Sequence, residues 1–302
     1  MGALLLALLT MPLWAAQYLV LVFMLVFLYL TIAQMWNLLA GYAGLVSLGT
    51  QIFIGLGGYT LAVLTEYYGF PVWLGVLFGG VVAVLFALVI SVPIFRMRGV
   101  YFTIATWIVA EALLVFFSNW AYVRQGMGFF IRAAYKLTTD QLYYAALFLG
   151  LGAVVLVYVL LRTKLGLGLM AMRDEETAAE TAGVEIFRSK LACFLISSFV
   201  VGLTGGVFYL SQVFIQPYAA FGINWTIAVV FMVIIGGIGT IEGPVIGAVI
   251  YVILQQYLSE YVGMSLLILG AVAILVILAS PAGIMGTVQK KFGFALLSPR
   301  RE

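Results

Sequence analysis

Residues 72–95, VWLGVLFGGVVAVLFALVISVPIF, contain no charged side chain. A helix that crosses a membrane needs about 20 consecutive apolar residues, because each residue advances about 1.5 Å through a hydrocarbon core about 30 Å thick. This stretch is long enough to cross a membrane as one helix.

Runs of the same kind continue in both directions. Of the 302 residues, 65% are hydrophobic and 8% are charged, whereas a soluble domain carries about 25% charged residues. The sequence predicts an all-α integral membrane protein, a polytopic helical bundle of about nine or ten spans, with residues 1–302 forming a single transmembrane domain. The candidate spans are 15–35, 46–65, 72–95, 101–120, 141–161, 191–211, 225–238, 242–258 and 264–280, and the apolar run 3–10 is too short to span alone.

Basic residues predict the orientation of the bundle, because cytoplasmic loops carry an excess of lysine and arginine. Three basic groups are separated by even numbers of candidate spans, so all three can lie in the cytoplasm, together with the carboxyl terminus. The groups are Arg96 and Arg98; Arg162, Lys164, Arg173, Arg188 and Lys190; and Lys290, Lys291, Arg300 and Arg301. The loop near 121–140 then lies outside, although it is also basic.

One polar loop between spans is long enough to fold by itself. Residues 162–190, RTKLGLGLMAMRDEETAAETAGVEIFRSK, are called the coupling loop below. We expect a short helix from Arg173, with acidic residues in its first turn, where the helix dipole favours them, and Gly183 as its end. The loop is either a solvated connector with balanced charges or a helix on which a partner docks.

The composition argues against an enzyme. The chain has no histidine and a single cysteine, Cys193, which leaves no disulfide, no Ser-His or Cys-His nucleophile and few ligands for a transition metal. The ATP-binding pattern G-x-x-x-x-G-K-[ST] does not occur in the sequence. We therefore expect no catalytic residue, no metal site, no cofactor bound by this chain and no nucleic-acid partner.

Glycine is concentrated in two clusters. The first comprises Gly41, Gly44, Gly49, Gly55, Gly57 and Gly58, and the second comprises Gly236, Gly237, Gly239, Gly243 and Gly247. Such clusters either let helices pack closely or interrupt them beside a cavity. On the second interpretation, the residues that border a translocation path are Asn37, Gly41, Gly44, Ser47, Thr50, Gln51, Gly236, Gly237 and Gly239.

Glu111 lies near the middle of the candidate span 101–120. An acid inside a membrane is costly and is a functional hypothesis by default. It serves either as a proton or ion site, or as a hydrogen-bond hub to Thr103, Thr106, Asn119 or a neighbouring helix. The span holds no basic partner, which makes a poor proton relay, so the structural role is favoured.

The coupling loop resembles the EAA-type loop of ABC importer permeases, in the variant of the branched-chain amino acid permease family. Other segments resemble the same family in the expected order: WNLLAGYAGLVSLGTQIFIGLGGYT (36–60), VPIFRMRGVYFTIATWIVAE (92–111), GVEIFRSKLACFLISSFVVGLTGGVF (183–208), VVFMVIIGGIGTIEGPVIGAVI (229–250) and SPAGIMG (280–286). Together they cover most of the chain from residue 36 onward.

The resemblance implies a bacterial inner-membrane permease that pairs with a second, related permease. Two ATPase subunits would bind ATP and Mg²⁺ and dock on the cytoplasmic loops, and an external binding protein would deliver branched-chain or other hydrophobic amino acids. The coupling helix it implies consists of Arg173, Asp174, Glu175, Glu176, Ala178, Ala179 and Gly183. The alternative function is an ion- or proton-coupled secondary transporter that uses Glu111.

Overall fold

A computed structural model describes residues 2–258 and 264–292, and these residues are almost entirely helical. Two short strands, β1 (Phe129–Phe130) and β2 (Phe214–Ile215), pair antiparallel at one end of the bundle. The helices, in chain order, are α1 (Gly2–Trp14), α2 (Gln17–Asn37), α3 (Thr50–Tyr68), α4 (Val72–Ile94), α5 (Val100–Asn119), α6 (Thr139–Leu161), α7 (Lys164–Asp174), α8 (Glu176–Thr181), α9 (Ile186–Gln212), α10 (Pro217–Phe221), α11 (Asn224–Gly236), α12 (Gly243–Leu258), α13 (Ser265–Ala279) and α14 (Gly283–Phe292).

Helices long and apolar enough to cross a membrane are the main feature of the fold. Among the described residues there are seven: Gln17–Tyr42, Val72–Ile94, Val100–Asn119, Thr139–Leu161, Ile186–Gln212, Pro217–Gly236 and Leu267–Gln289. The all-α polytopic class is thereby confirmed. The remaining predicted runs contain α3, of 19 residues, and α12, of 16 residues. The count of nine or ten spans stays a prediction, and residues 293–302, with Arg300 and Arg301, lie outside the described part.

The core of the bundle is built around α2 and α9. Every residue of α2 from Val26 to Asn37 is buried. Helix α9 packs against α3 and α4, and α2 packs against α6, α9 and α12. Helix α5 lies at the periphery of the bundle, since only 22% of its most apolar stretch is buried inside the chain.

Glycines allow α3, α4 and α9 to approach one another closely. A Cβ atom on Gly57 would overlap the carbonyl of Gly202, and one on Gly205 would overlap the backbone of Ile54. A Cβ atom on Gly79 of α4 would lie 2.8 Å from the carbonyl oxygen of Gly57. In a membrane the hydrophobic effect does not drive helices together, because lipid is as apolar as the helix surfaces. Small residues instead let helices associate through close van der Waals packing. At these positions the packing interpretation of the glycines is correct.

We expect Gly205→Ala to destabilise the protein, because the new methyl group would push α9 away from α3. Overpacking of this kind costs about 1–3 kcal/mol. The matched control is Gly152→Ala on α6, where a Cβ atom meets nothing within 4 Å. Thermal unfolding of the two purified variants in detergent tests this expectation, and equal unfolding midpoints would contradict it.

Candidate functional site: the glycine junction and the coupling loop

The first glycine cluster interrupts the chain between α2 and α3. Helix α2 ends at Asn37 and passes into a π-helical turn, Leu38–Tyr42, and seven residues without regular helix follow before Thr50. Gly44 has a φ of +71°, a conformation that favours glycine. The indole Nε1 of Trp36 donates to the carbonyl of Ser47 at 2.7 Å and holds the returning segment against α2.

The second glycine cluster interrupts the chain between α11 and α12. Gly237 has a φ of +123° and Gly239 a φ of +72°, values that side-chain-bearing residues rarely adopt. The hydroxyl of Thr240 donates to the carbonyl of Gly237 at 2.7 Å and accepts from the N–H of Gly243 at 3.1 Å. Gly41, Gly44, Gly237 and Gly239 thus lie at interruptions between helices. Other members of the two clusters, Gly55, Gly57, Gly58 and Gly247, lie inside α3 and α12, where they allow close packing.

The two interruptions meet at a single side chain, Asn37. Its Nδ2 donates to the carbonyl of Thr240 at 2.8 Å, and its Oδ1 accepts from the N–H of Gly239 at 2.8 Å. One turn earlier, Gln34 Nε2 donates to the carbonyl of Ile241 at 2.6 Å. A Cβ atom on Gly41 would lie 2.7 Å from the Gly239 nitrogen, so only glycine permits this approach. We call residues 37–42 and 237–241 the glycine junction.

The polar side chains predicted to border a path, Asn37, Ser47, Thr50 and Gln51, are all buried, and those of Asn37, Ser47 and Gln51 form hydrogen bonds within the chain. Ser47 Oγ accepts from the N–H of Gly49 at 3.2 Å, and Gln51 Nε2 donates to the carbonyl of Leu48 at 3.0 Å. The Oε1 atom of Gln51 accepts from the hydroxyl of Thr226 on α11. These groups hold the shape of the segment 43–51, and their contact with a solute stays a prediction.

The coupling loop folds into two helices, not one. The hydroxyl of Thr163 accepts from the N–H of Gly166 and caps α7, which starts well before Arg173. The backbone becomes extended at Glu175, with φ −156° and ψ 111°, so α8 starts at Glu176. The predicted short helix is therefore present as α8, but its predicted start at Arg173 was wrong, because the extended backbone at Glu175 leaves Arg173 and Asp174 at the end of α7. The end at Gly183 agrees with its φ of +87°.

Helix α8 is held against the start of α9 by a buried ion pair. Glu176 pairs with Lys190, whose side chain is 7% exposed, and lies 3.9 Å from Nε of Arg98. Ala179 is buried, whereas its neighbour Ala178 is exposed. A partner that touches α8 would therefore reach Ala178 and not Ala179.

A cleft of about 560 Å³ lies beside α8 and is lined by residues of three segments. Phe95 and Arg98 come from the end of α4 and the turn after it, Glu180 comes from α8, and Phe187 comes from the start of α9. The cleft combines charged side chains with aromatic rings, and such mixed surfaces are typical of protein interfaces.

Arg173 joins the coupling loop to the glycine junction. Its Nη1 atom donates to the carbonyl of Gly41 at 2.6 Å, and a Cβ atom on Gly44 would lie 3.4 Å from its Cα. The family resemblance predicts Arg173 on the ATPase-facing helix, whereas its guanidinium points toward the interruption after α2. The two residues are 132 positions apart, and no sequence signal connects them.

Glu111 is half-buried on α5, and its Oε1 accepts from Nε1 of Trp107 at 3.1 Å. Its three predicted partners are engaged elsewhere. Thr103 donates to the carbonyl of Val46, Thr106 accepts from the N–H of Leu48, and Asn119 donates to the carbonyl of Val115. The predicted hydrogen-bond hub to these residues was therefore wrong, because each satisfies backbone groups and Glu111 is paired within its own helix.

The apolar helices of the fold define a multi-pass, all-α membrane protein. Residues 18–280 match the family described as "Branched-chain amino acid transport system / permease component", and the chain belongs to that family.

Curated relatives agree with this assignment. The chain is 27% identical over 279 residues to the high-affinity branched-chain amino acid transport system permease protein LivM of Escherichia coli and to that of Salmonella typhimurium; each match covers 82% of this chain and 65% of the relative. It is 29% identical over 157 residues to the probable permease protein LivH of Methanocaldococcus jannaschii, covering 49% of this chain and 48% of the relative. The chain thus spans just under two thirds of the LivM proteins. No solved structure matches it.

We expect Asn37→Ala to weaken the fold, because it leaves the Thr240 carbonyl and the Gly239 N–H unsatisfied in a buried site. Each unsatisfied buried group costs about 1–3 kcal/mol. Asn119→Ala is the matched control, since Asn119 is exposed and bonds only within its own helix. Thermal unfolding in detergent compares the two variants, and an unchanged midpoint for Asn37→Ala would overturn the role given to this amide.

Proposed function

We propose that this chain is the permease subunit of an ATP-driven importer for branched-chain or other hydrophobic amino acids. It acts in the bacterial inner membrane with its coupling loop in the cytoplasm. A second, related permease completes the translocation path, two ATPase subunits supply the energy, and an external binding protein delivers the solute. The family membership of residues 18–280 supports the role of a transport permease, and the basic residues of the coupling loop support its cytoplasmic side.

One structural observation carries the proposal: the hydrogen bond from Arg173 to the Gly41 carbonyl. It joins the coupling loop to the segment where helix α2 is interrupted. A simple connector between spans has no need of a charged hydrogen bond to a distant helix.

The hydrogen bond from Arg173 links a displacement of the coupling loop to the glycine junction through few residues. A displacement of α8 reaches Arg173 directly, because Glu175 alone separates α7 from α8. Arg173 passes the displacement to Gly41, and Asn37 passes it to the loop between α11 and α12 through its two hydrogen bonds. The π-helical turn Leu38–Tyr42 suits such a hinge, since π-bulges are often found at functional sites.

The energy for this movement comes from partner chains, which bind ATP and Mg²⁺. A ligand shifts a two-state equilibrium only by its differential affinity for the two states. In this proposal ATP favours the closed pair of ATPases, and α8 follows their closure. This chain converts that displacement into a change of access at the glycine junction.

The solute is proposed from the relatives, whose printed names refer to branched-chain amino acids. The junction itself consists of backbone amides, small residues and uncharged side chains, a composition that suits contact with a zwitterionic solute with an apolar side chain. The secondary transporter that uses Glu111 is not favoured, because the family match assigns the chain to a transport system with a permease component.

We expect Arg173→Ala to uncouple the importer. Import of leucine by the assembled complex in proteoliposomes falls about tenfold, because a charged hydrogen bond is lost, while ATP hydrolysis continues. The matched control is Lys164→Ala, which removes the same charge from the exposed start of α7. Wild-type import by Arg173→Ala would contradict the mechanism.

We expect Ala178→Trp and Ala179→Trp to fail in different ways. Ala178 is exposed, so a large ring there blocks docking and the ATPase subunits no longer co-purify, while the thermal stability of the permease is kept. Ala179 is 3% exposed, so the same substitution lowers the stability of the chain itself. Normal co-purification of the ATPase with Ala178→Trp would show that α8 is not the docking helix.

A further inference from the structure

Glu111 lies deep in α5, far from both ends of the helix. It is the twelfth residue of a helix of twenty, so it lies about 16 Å from the start of a helix about 30 Å long. Arg98, just before α5, and Trp120, just after it, mark the two ends. A carboxylate at this depth is incompatible with contact to lipid chains alone, because an ionised group in hydrocarbon costs several kcal/mol.

The face of α5 that carries Glu111 is open in this chain. The buried residues of α5 are Phe102, Thr106, Ala110 and Phe117. Trp107 beside Glu111 is 39% exposed, and Ile104 and Ile108 are exposed as well. Glu111 itself is half-buried, and Ile104 and Ile108 lie on the same face of α5, seven and three residues before it.

The open face continues onto an irregular segment of backbone. Thr103 donates to the carbonyl of Val46 at 2.8 Å, and Thr106 accepts from the N–H of Leu48 at 3.0 Å, so α5 lies alongside residues 44–48. Gly44 and Val46 of that segment are exposed. Irregular backbone at membrane depth occurs where it is covered by protein or lines a water-filled cavity, not against lipid.

Trp107 orients the Glu111 carboxylate in a way that suits the binding of a cation. Its indole N–H donates to Oε1 of Glu111 at 3.1 Å and fixes the direction of the carboxyl group. An indole ring also attracts cations to its face, with tryptophan the best of the aromatic side chains in this respect. An oriented carboxylate beside an indole ring is a suitable site for an ammonium group, which would replace its lost hydration with a charge-assisted hydrogen bond.

We propose that Glu111 and Trp107 bind the α-ammonium group of the amino acid as it passes along the face formed by α5 and residues 44–48. This inference rests on the proposed function and adds the part of the solute that the permease itself recognises. The ammonium group contacts the Glu111 carboxylate, and the apolar side chain of the solute lies against the neighbouring isoleucines of α5. The site accounts for a carboxylate in the middle of a membrane span.

The test uses the assembled importer in proteoliposomes, with binding protein loaded with radiolabelled L-leucine. Leucine import and ATP hydrolysis are measured for Glu111→Gln, Glu111→Asp and Trp107→Phe. We expect Glu111→Gln to lower import about tenfold, since it loses a charge-assisted bond, with ATP hydrolysis nearly unchanged. Glu111→Asp keeps the charge and retains more import than Glu111→Gln. Trp107→Phe keeps an aromatic face, loses the N–H and gives an intermediate import.

The matched control is Glu66→Gln, which removes a carboxylate near the end of α3, where Glu66 accepts from the N–H of Ala133. It should leave both import and ATP hydrolysis unchanged. Wild-type import by Glu111→Gln would overturn the proposal. A joint loss of import, ATP hydrolysis and permease pairing would also overturn it, because Glu111 would then pair with a basic residue of the partner. A wild-type complex that does not import leucine would instead refute the proposed function.

Discussion

An interrupted helix inside a membrane leaves peptide groups that lipid cannot satisfy, and this protein has two interruptions that satisfy each other. The Asn37 amide bonds to a carbonyl and an N–H of the loop between α11 and α12, and Gln34 bonds to a third backbone group of that loop. Because unsatisfied backbone costs several kcal/mol in hydrocarbon, the two interruptions are stable only together. The packing of α2 against α11 and α12 follows from this constraint.

The same interruption makes the protein responsive to its surroundings. A continuous helix would spread a displacement along its length, whereas a π-helical turn held by a few hydrogen bonds has more than one accessible arrangement. Arg173 donates to the carbonyl of Gly41 within this π-helical turn. The rigid part of the bundle, where glycines bring α3, α4 and α9 together, provides the support against which such a movement acts.

Burial differs sharply between the two sides of the bundle. Helices α2 and α9 are buried largely within the chain, whereas α5 presents a long open face on which Trp107 and Glu111 lie. A membrane protein with a charged residue on such a face needs another protein or water beside it. This need agrees with a permease that forms its path together with a second subunit.

The sequence by itself determined the membrane class, the positions of the main helices and the end at Gly183, because hydropathy and glycine act locally along the chain. It left open which glycines interrupt helices and which only let them pack. It did not determine the start of α8, because the extended backbone at Glu175 ends α7 and leaves Arg173 and Asp174 in that helix. Only the tertiary structure decided that Asn37 meets Gly239, that Arg173 meets Gly41 and that Ala179 faces inward. These contacts join residues more than a hundred positions apart or depend on the rotation of a short helix, and neither leaves a periodic signal in the sequence.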